Sequence, residues 1–262
     1  MIKVVVCGAL GRMGRRIVEL ARSEKDIEVV GAVEAQEHPG IGLVVDEGIK
    51  VTDSIEKVIK TCDVLIDFTQ PESAVANVDA CYKAKKAAVV GTTGFSGEQR
   101  ETLGLFAKEI PCVIAPNMSL GVNLLFSLVV EAARVLADYD IEIIETHHNE
   151  KKDAPSGTAL EIARKICDAY GWDIDDVAKY GRKGMIGVRK QKEIGIHSIR
   201  SGDVIGEHQV IFAGNNERLE LVHRAHSRDA FARGALVAAK WIVGRKPGWY
   251  DMSDVLGLKK RG

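Results

Sequence analysis

The chain has 262 residues, enough for one large domain or two modest ones, either with a substantial buried core. A formal net charge of −1 provides no global basic field, which argues against non-specific nucleic-acid binding. The five cysteines, Cys7, Cys62, Cys81, Cys112 and Cys167, form no C-x-x-C pair and lie in apolar strand or helix patterns, so they read as buried reduced thiols and not as a disulfide framework or a zinc site.

The strand-like run Ile2 to Cys7 starts almost at the first residue, leaving no room for a signal peptide, and no apolar run is long enough to span a bilayer. A cytoplasmic protein without a membrane partner is expected. A glycine turn leads to a helix over Arg12 to Arg22 and a strand over Ile27 to Glu34. Further strands are predicted at Val64 to Asp67, Ala87 to Gly91 and Cys112 to Ala115, separated by helical stretches near Ser54 to Lys60, Glu72 to Ala84 and Gly97 to Lys108. Strands apolar throughout, alternating with helices, imply a parallel sheet covered on both faces, the doubly wound Rossmann-type α/β arrangement.

Between the first strand and the first helix lies Gly8-Ala9-Leu10-Gly11-Arg12-Met13-Gly14. That is where a dinucleotide fingerprint presents a helix N-terminus to a pyrophosphate. The spacing is G-x-x-G-x-x-G instead of the commoner G-x-G-x-x-G, so a tight turn without ligand is the competing reading. Glu34 ends the second strand twenty residues past Gly14, where a carboxylate can accept hydrogen bonds from the adenosine ribose hydroxyls. Together these features point to a bound dinucleotide. Ala35 follows Glu34 where a basic residue would favour a 2′-phosphate, so NADH is expected with NADPH also accepted; Arg12 and Arg15 at the helix start could still reach such a phosphate. Ligands of such sheets sit at the carboxyl ends of the strands. Gly91-Thr92-Thr93 and Ala115-Pro116-Asn117-Met118 are therefore expected as contacts, with Phe68 and Thr69 as further candidates; turn chemistry alone is the alternative.

Past Met118 the rhythm changes. A long helical pattern from Gly121 to Leu136 precedes a strand from Tyr139 to His147 and a helix opening at Pro155-Ser156-Gly157-Thr158. Strand-like runs follow at Glu193 to Arg200, Glu207 to Phe212 and Arg218 to His226, then a helix over Ala230 to Val243. Helix grouped with consecutive strands suggests an α+β domain on a mixed sheet. The charge-rich stretch Lys179 to Lys192 reads as a solvated loop. Along the first of these strands Ile143, Glu145 and His147 share one face while Ile144, Thr146 and His148 take the other. The following helix start offers unpaired N–H groups and a positive dipole end to a carboxylate or phosphate, and Lys151 adds a full positive charge.

The run Glu142 to Ala159, with its His-His-Asn-Glu-Lys-Lys-Asp-Ala-Pro-Ser-Gly-Thr core, resembles the signature of the dihydrodipicolinate reductase (4-hydroxy-tetrahydrodipicolinate reductase) family of lysine and diaminopimelate biosynthesis. The glycine loop, Gly91 to Phe95, Ala115 to Gly121 and the last strand extend that resemblance over essentially the whole chain. It implies His147 as the acid/base group, Lys151 as proton donor or anion partner, His148 on the substrate, and Gly157 and Thr158 on a substrate carboxylate. It places Gly91 to Thr93 around the nicotinamide ribose and Ala115 to Met118 beside the nicotinamide ring. It further implies a dinucleotide-binding domain over 1–118 and 228–262, a substrate-binding and oligomerisation domain over 119–227, and a homotetramer assembled through the latter. The implied activity is NAD(P)H-dependent reduction of 4-hydroxy-tetrahydrodipicolinate, or its dehydrated form, to tetrahydrodipicolinate, a small dicarboxylate. No metal is implied, and Arg228 is left open as a carboxylate partner. The rivals are a dehydrogenase for another small anion, which a turnover assay would separate, and a dinucleotide-binding regulator, which would need a DNA-binding element that is not evident.

Overall fold

The computed structural model of the protein describes residues 1–259; residues 260–262, included in the expected first domain, lie outside the described residues. The elements run β1 (Ile2–Cys7), α1 (Arg12–Ala21), β2 (Ile27–Val33), β3 (Val44–Asp46), β4 (Ile49–Thr52), two 3-10 turns (Ile55–Lys57 and Ile59–Thr61), β5 (Val64–Asp67), α2 (Pro71–Ala84), β6 (Ala87–Val90), α3 (Gly97–Ala107) and β7 (Pro111–Ile114). Then come α4 (Leu120–Val135), β8 (Asp140–His147), α5 (Gly157–Tyr170), α6 (Ile174–Val177), β9 (Ala178–Tyr180), β10 (Ile194–Arg200), β11 (Gly206–Ala213), β12 (Arg218–Ala225), α7 (Asp229–Ile242), β13 (Gly248–Tyr250) and α8 (Met252–Val255). The chain packs as two compact units, Met1–Leu120 with the segment from Arg228 onward, and Gly121–Ser227. Among the described residues no helix is long and apolar enough to cross a membrane.

The first unit is built on an eight-stranded sheet, ordered β13-β7-β6-β5-β1-β2-β4-β3 and parallel except for the β3–β4 edge pair. Strand alternation divides its apolar side chains between two layers. Val4 and Val6 pack in a core with Ile17 of α1 and Ala235 and Ala239 of α7, whereas Val5 and Cys7 pack with Val78 of α2 and Leu103 of α3. Helices therefore cover both faces, as the doubly wound reading requires. Arg16 clamps α1 to α7 through two 2.8 Å bonds to Asp229. The expected helix over 54–60 forms instead as the two 3-10 turns, which bury Ile55 and Ile59. So short a stretch, rich in β-branched residues, gains little from full α-helix formation. Strands β3, β4, β9 and β13 escape the sequence pattern because none carries the unbroken apolar run that marks the equally short β5, β6 and β7.

The second unit has a five-stranded mixed sheet, β12-β11-β8-β10-β9, with β8, β10 and β9 parallel and β11 antiparallel to both neighbours. Its core face carries Ile141, Ile143, Ile194, Ile196, Val210 and Phe212 against the apolar faces of α4 and α5. The stretch 179–192 is more structured than a solvated loop. Its start lies in edge strand β9, Arg182 donates to Glu142 and Glu193, and Arg189 donates to Asp140 and to the Ile141 and Glu193 carbonyls. The anchor is Glu142: burial pushes its carboxyl up, but Arg182, His197 and Arg189 converge on it and hold it down at about 2.

Candidate active site

In the first unit the glycine loop passes directly from β1 into α1. Gly8 sits at φ +73°, where L side chains are strained, and a Cβ on Gly14 would come within 2.0 Å of the Gly8 carbonyl oxygen, so the tight turn requires glycine at both. Helix α1 starts after Gly11, which is extended and offers no side-chain cap, leaving backbone N–H groups at Arg12 and Met13 to meet an anion. Arg12 and Arg15 are exposed beside them. Glu34 lies just past β2, and its Oε1 accepts the Leu10 N–H at 2.6 Å, so the carboxylate expected to meet a ribose also holds the glycine loop in shape. Gly8, Gly11, Glu34, Ala35, Phe68 and Thr69 contribute to a cleft of about 460 Å³. Its lining also includes Asp53 and Glu56 and, among the described residues, neither lysine nor arginine. The loop, the open helix start and the carboxylate fit a dinucleotide.

Two of the other loops expected to meet the nucleotide are fastened by a carboxylate to which the sequence assigned no role. Asp67 ends β5 fully buried and accepts from Thr69 N–H (3.1 Å), Thr69 Oγ1 (2.9 Å), Asn77 Nδ2 (2.7 Å) and Thr92 Oγ1 (2.7 Å). Thr92 Oγ1 also accepts the Thr69 N–H at 2.9 Å. The Thr92 hydroxyl is thus committed within the protein, while Thr93 is exposed and Gly91 half-buried. Ala9, Ala115 and Met118 turn their side chains into the core, so any ligand contact there falls to their backbone and to exposed Pro116 and half-buried Asn117. Leu10 and Met13 are partly buried against the same core.

In the second unit the signature strand ends in a buried polar cluster. Alternation along β8 carries the inward face from Ile141 and Ile143 to Glu145 and His147. The fully buried Glu145 carboxylate contacts His147 Nδ1 at 2.6 Å and receives both Arg200 Nη1 and Nη2 at 2.9 Å. It also accepts the Ser156 N–H at 3.1 Å. Burial raises the affinity of Glu145 for a proton, but His147 and Arg200 outweigh it and hold the carboxyl well below the usual range. Ser156 caps α5, its Oγ accepting the Ala159 N–H and contacting His208 Nε2, both at 3.1 Å. His208 lies edge-on to His147, ring centres 5.3 Å apart; burial, reinforced by His147, holds its imidazole down at about 3, so it is neutral.

Gly157 and Thr158 open the fourteen-residue helix α5, and space is open around Gly157. Lys151 pairs with Asp153 at 2.8 Å, while the Asp153 carbonyl accepts from Arg200 Nη2 at 2.6 Å. His148 is half-buried past the strand, its carbonyl closing a turn with the Lys151 N–H. The structure therefore gathers His147, Lys151 and the α5 start around a carboxylate that carried no role in the sequence reading. Glu145 had a signal, since it shares the face of His147. Arg200 and His208 had none, because they arrive only through strand register, Arg200 opposite His147 and His208 opposite Glu145. Arg228, left open by the sequence, is the residue before α7 and makes no side-chain cap there.

Comparison with known proteins agrees with both halves of this description. The dihydrodipicolinate reductase family matches by its N-terminus over residues 2–118 and by its C-terminus over residues 121–256. The 4-hydroxy-tetrahydrodipicolinate reductases of Geotalea daltonii and Trichlorobacter lovleyi are each 49% identical to this chain, over 269 and 267 residues, covering 99% of it and 100% of each relative. A dipicolinate-bound dihydrodipicolinate reductase from Paenisporosarcina sp. TG-14 superposes with a TM-score of 0.80 at 26% identity, covering 97% of this chain and 99% of that one. A DAP dehydrogenase from C. glutamicum, 14% identical with a TM-score of 0.56 over 100% of this chain and 96% of that one, shares the fold alone. With both of its pieces matched by one family and near-half identity to full-length relatives, the chain belongs to the dihydrodipicolinate reductase family.

Proposed function

We infer that this chain carries its family's activity, the NAD(P)H-dependent reduction of 4-hydroxy-tetrahydrodipicolinate, or its dehydrated form, to tetrahydrodipicolinate. The observation that carries the reading is the convergence of His147, Lys151 and the α5 start at the end of β8. When bound, the reduced nicotinamide supplies hydride. The residues at the end of β8 handle the proton and the anions. Reduction of a conjugated C=C–C=N system sends electron density toward the ring nitrogen, after which carbon must be protonated. His147 donates that proton; an imidazole titrates near neutrality and suits general acid work. Lys151, released from Asp153, and the first N–H groups of α5 at Gly157 and Thr158 bind a substrate carboxylate and fix the ring, with His148 beside it. The first unit holds the dinucleotide through the glycine loop, Glu34, Gly91 to Thr93 and the 115–118 loop.

NADH is the proposed preferred nucleotide. Glu34, Asp53 and Glu56 all line the cleft, no lysine or arginine is among its described lining residues, and Lys57, which pairs with Asp53 at 3.6 Å, lies outside that lining, a poor setting for a 2′-phosphate. A homotetramer assembled through the second unit is proposed as well. Its sheet face opposite the helices carries Ile199 and Val222 exposed, and Met185, Ile186 and Val188 project from the loop. We place the protein in the cytoplasm, where its five buried free thiols persist. The deciding experiment is NADH oxidation with freshly generated pathway substrate, run beside NADPH and beside an amino-acid dehydrogenase substrate. Turnover of the pathway substrate is expected; turnover only of an amino acid would overturn the reading.

A further inference from the structure

We infer that Glu145 is a positioning residue that fixes which nitrogen of His147 carries the working proton and links that proton donor mechanically to the opening of α5. This rests on His147 being the acid. The argument begins with Arg200. Its guanidinium meets both Glu145 oxygens at 2.9 Å in a two-pronged fork, an arrangement made only to an ionised carboxylate. An ionised carboxylate can only accept. The 2.6 Å contact between Glu145 and His147 Nδ1 therefore requires the hydrogen to sit on Nδ1. Neutral His147 then presents a bare Nε2, and in the charged ring the transferable proton is the one on Nε2.

The backbone around that nitrogen agrees. A Cβ on Gly206 would lie 3.0 Å from His147 Nε2, so glycine leaves this side of the ring unobstructed. In the reaction the Nε2–H bond breaks as a C–H bond forms at the substrate carbon. The electron pair of the Nε2–H bond stays on the ring, His147 becomes neutral, and Glu145 remains ionised throughout. A solvent proton restores the imidazolium.

The second half of the inference concerns geometry. Glu145 Oε1 also accepts the N–H of Ser156, the residue capping α5, while Arg200 holds the Asp153 carbonyl. One carboxylate thus anchors the proton donor and the start of the carboxylate-binding helix, and its arginine fastens the loop between them. The charged or titratable groups around His147 are Glu145 on its own strand, Arg200 on β10, His208 on β11, and Lys151 with Asp153 in the loop. Glu145 is the one in direct contact with its ring nitrogen.

The decisive measurement uses the unmodified protein: long-range ¹H–¹⁵N spectra of ¹⁵N-histidine-labelled enzyme, with the His147 signals assigned by their loss in His147→Asn. The neutral ring should show its hydrogen on Nδ1; hydrogen on Nε2 overturns the inference. In Glu145→Gln, kcat should fall on the order of a hundredfold. KM for NADH should stay within about threefold, since the nucleotide loops are untouched. An unchanged kcat in a folded Glu145→Gln protein also overturns it. Failure of the underlying assignment looks different: His147→Asn itself would then turn over at the wild-type rate.

Discussion

Asp67 in the first unit and Glu145 in the second are both completely buried carboxylates that organise the loops around them, yet they are kept there by opposite means. Asp67 is surrounded by neutral donors, two hydroxyls, a backbone N–H and an amide. Burial pushes its pKa up, and those hydrogen bonds offset the rise only in part. Glu145 feels the same burial but lies against Arg200 and His147, and the charges prevail. A loop clamp needs only acceptor oxygens of the right shape. Orienting an acid that must be cationic before it donates, and stabilising that charge, needs a full negative charge. The two hubs should therefore respond very differently when the charge is taken away.

The largest contrast is expected from Arg200→Met, which removes the fork and leaves Glu145 buried with His147 as its only ionisable contact. Stranding one partner of such a pair costs about 3 kcal/mol or more, so the denaturation midpoint should fall steeply and turnover with it. A midpoint close to wild type would show that Glu145 is better solvated than its burial implies. Next in size is the chemistry itself. His147→Ala and Lys151→Ala should each lower turnover about a hundredfold or more, close to 2.7 kcal/mol of barrier. NADH affinity, measured by fluorescence titration, should barely change, because the loops proposed to hold the nucleotide belong to the first unit. Wild-type rates in both variants would remove the second unit's claim to the reaction.

These contrasts also mark what the sequence could and could not disclose. The doubly wound sheet was legible because Ile2–Cys7, Val64–Asp67 and Ala87–Val90 are apolar on both faces and alternate with helical periods. Strands β3, β4 and β13 at its edges were not, because they lack the unbroken apolar run of the equally short β5 and β6. In the candidate site, everything local to one run, from Glu145 to Thr158, could be placed from strand alternation and helix capping. Arg200 and His208 belong to the same cluster but lie more than fifty residues along the chain from Glu145, and only the β8–β10 and β8–β11 registers bring them there. The commitment of Thr92 to Asp67 was hidden for the same reason, since it depends on β5 and β6 lying side by side.

The next expected effect concerns acid. His208, buried and neutral, is held at about 3 against an ordinary 6.5 by burial and the nearby His147. As pH falls below the ordinary value, the unfolded chain takes up this proton and the folded one does not, so stability declines, by about 2 kcal/mol at pH 5. Asp67 works in the opposite direction. Its folded pKa is raised, so between the unfolded and folded values the native state binds more proton and gains stability as pH falls. Hydrogen exchange at pH 7 and about pH 5 should therefore show β8 and β11 losing protection while β5 and β6 hold theirs. His208→Gln should remove most of the difference; equal loss in both units would contradict it.

The smallest effect expected is that of Asp67→Asn, and it is the sharpest check on the comparison. The new amide oxygen can still accept from Thr69 and Thr92, as Asp67 Oδ1 does now. The new NH₂ faces Asn77 Nδ2, which lies 2.7 Å from Asp67 Oδ2, and Asn77 can restore a donor–acceptor pair by turning its own amide over. The charge that burial disfavours disappears, and with it the decline in stability that Asp67 imposes as pH rises through its folded pKa. Stability near pH 7 should therefore change by less than about 1 kcal/mol, in either direction. KM for NADH should rise no more than about threefold, and competition by pyridine-2,6-dicarboxylate, a planar dianion expected to take the carboxylate site at Lys151, Gly157 and Thr158, should be unaltered. Asp67→Leu, which supplies no acceptor, should instead release the Thr69 and Thr92 loops and raise KM for NADH about tenfold or more, leaving that inhibition intact. If Asp67→Asn proves as damaging as Asp67→Leu, then the charge and not the acceptor geometry holds the nucleotide loops, and the division between the two hubs fails.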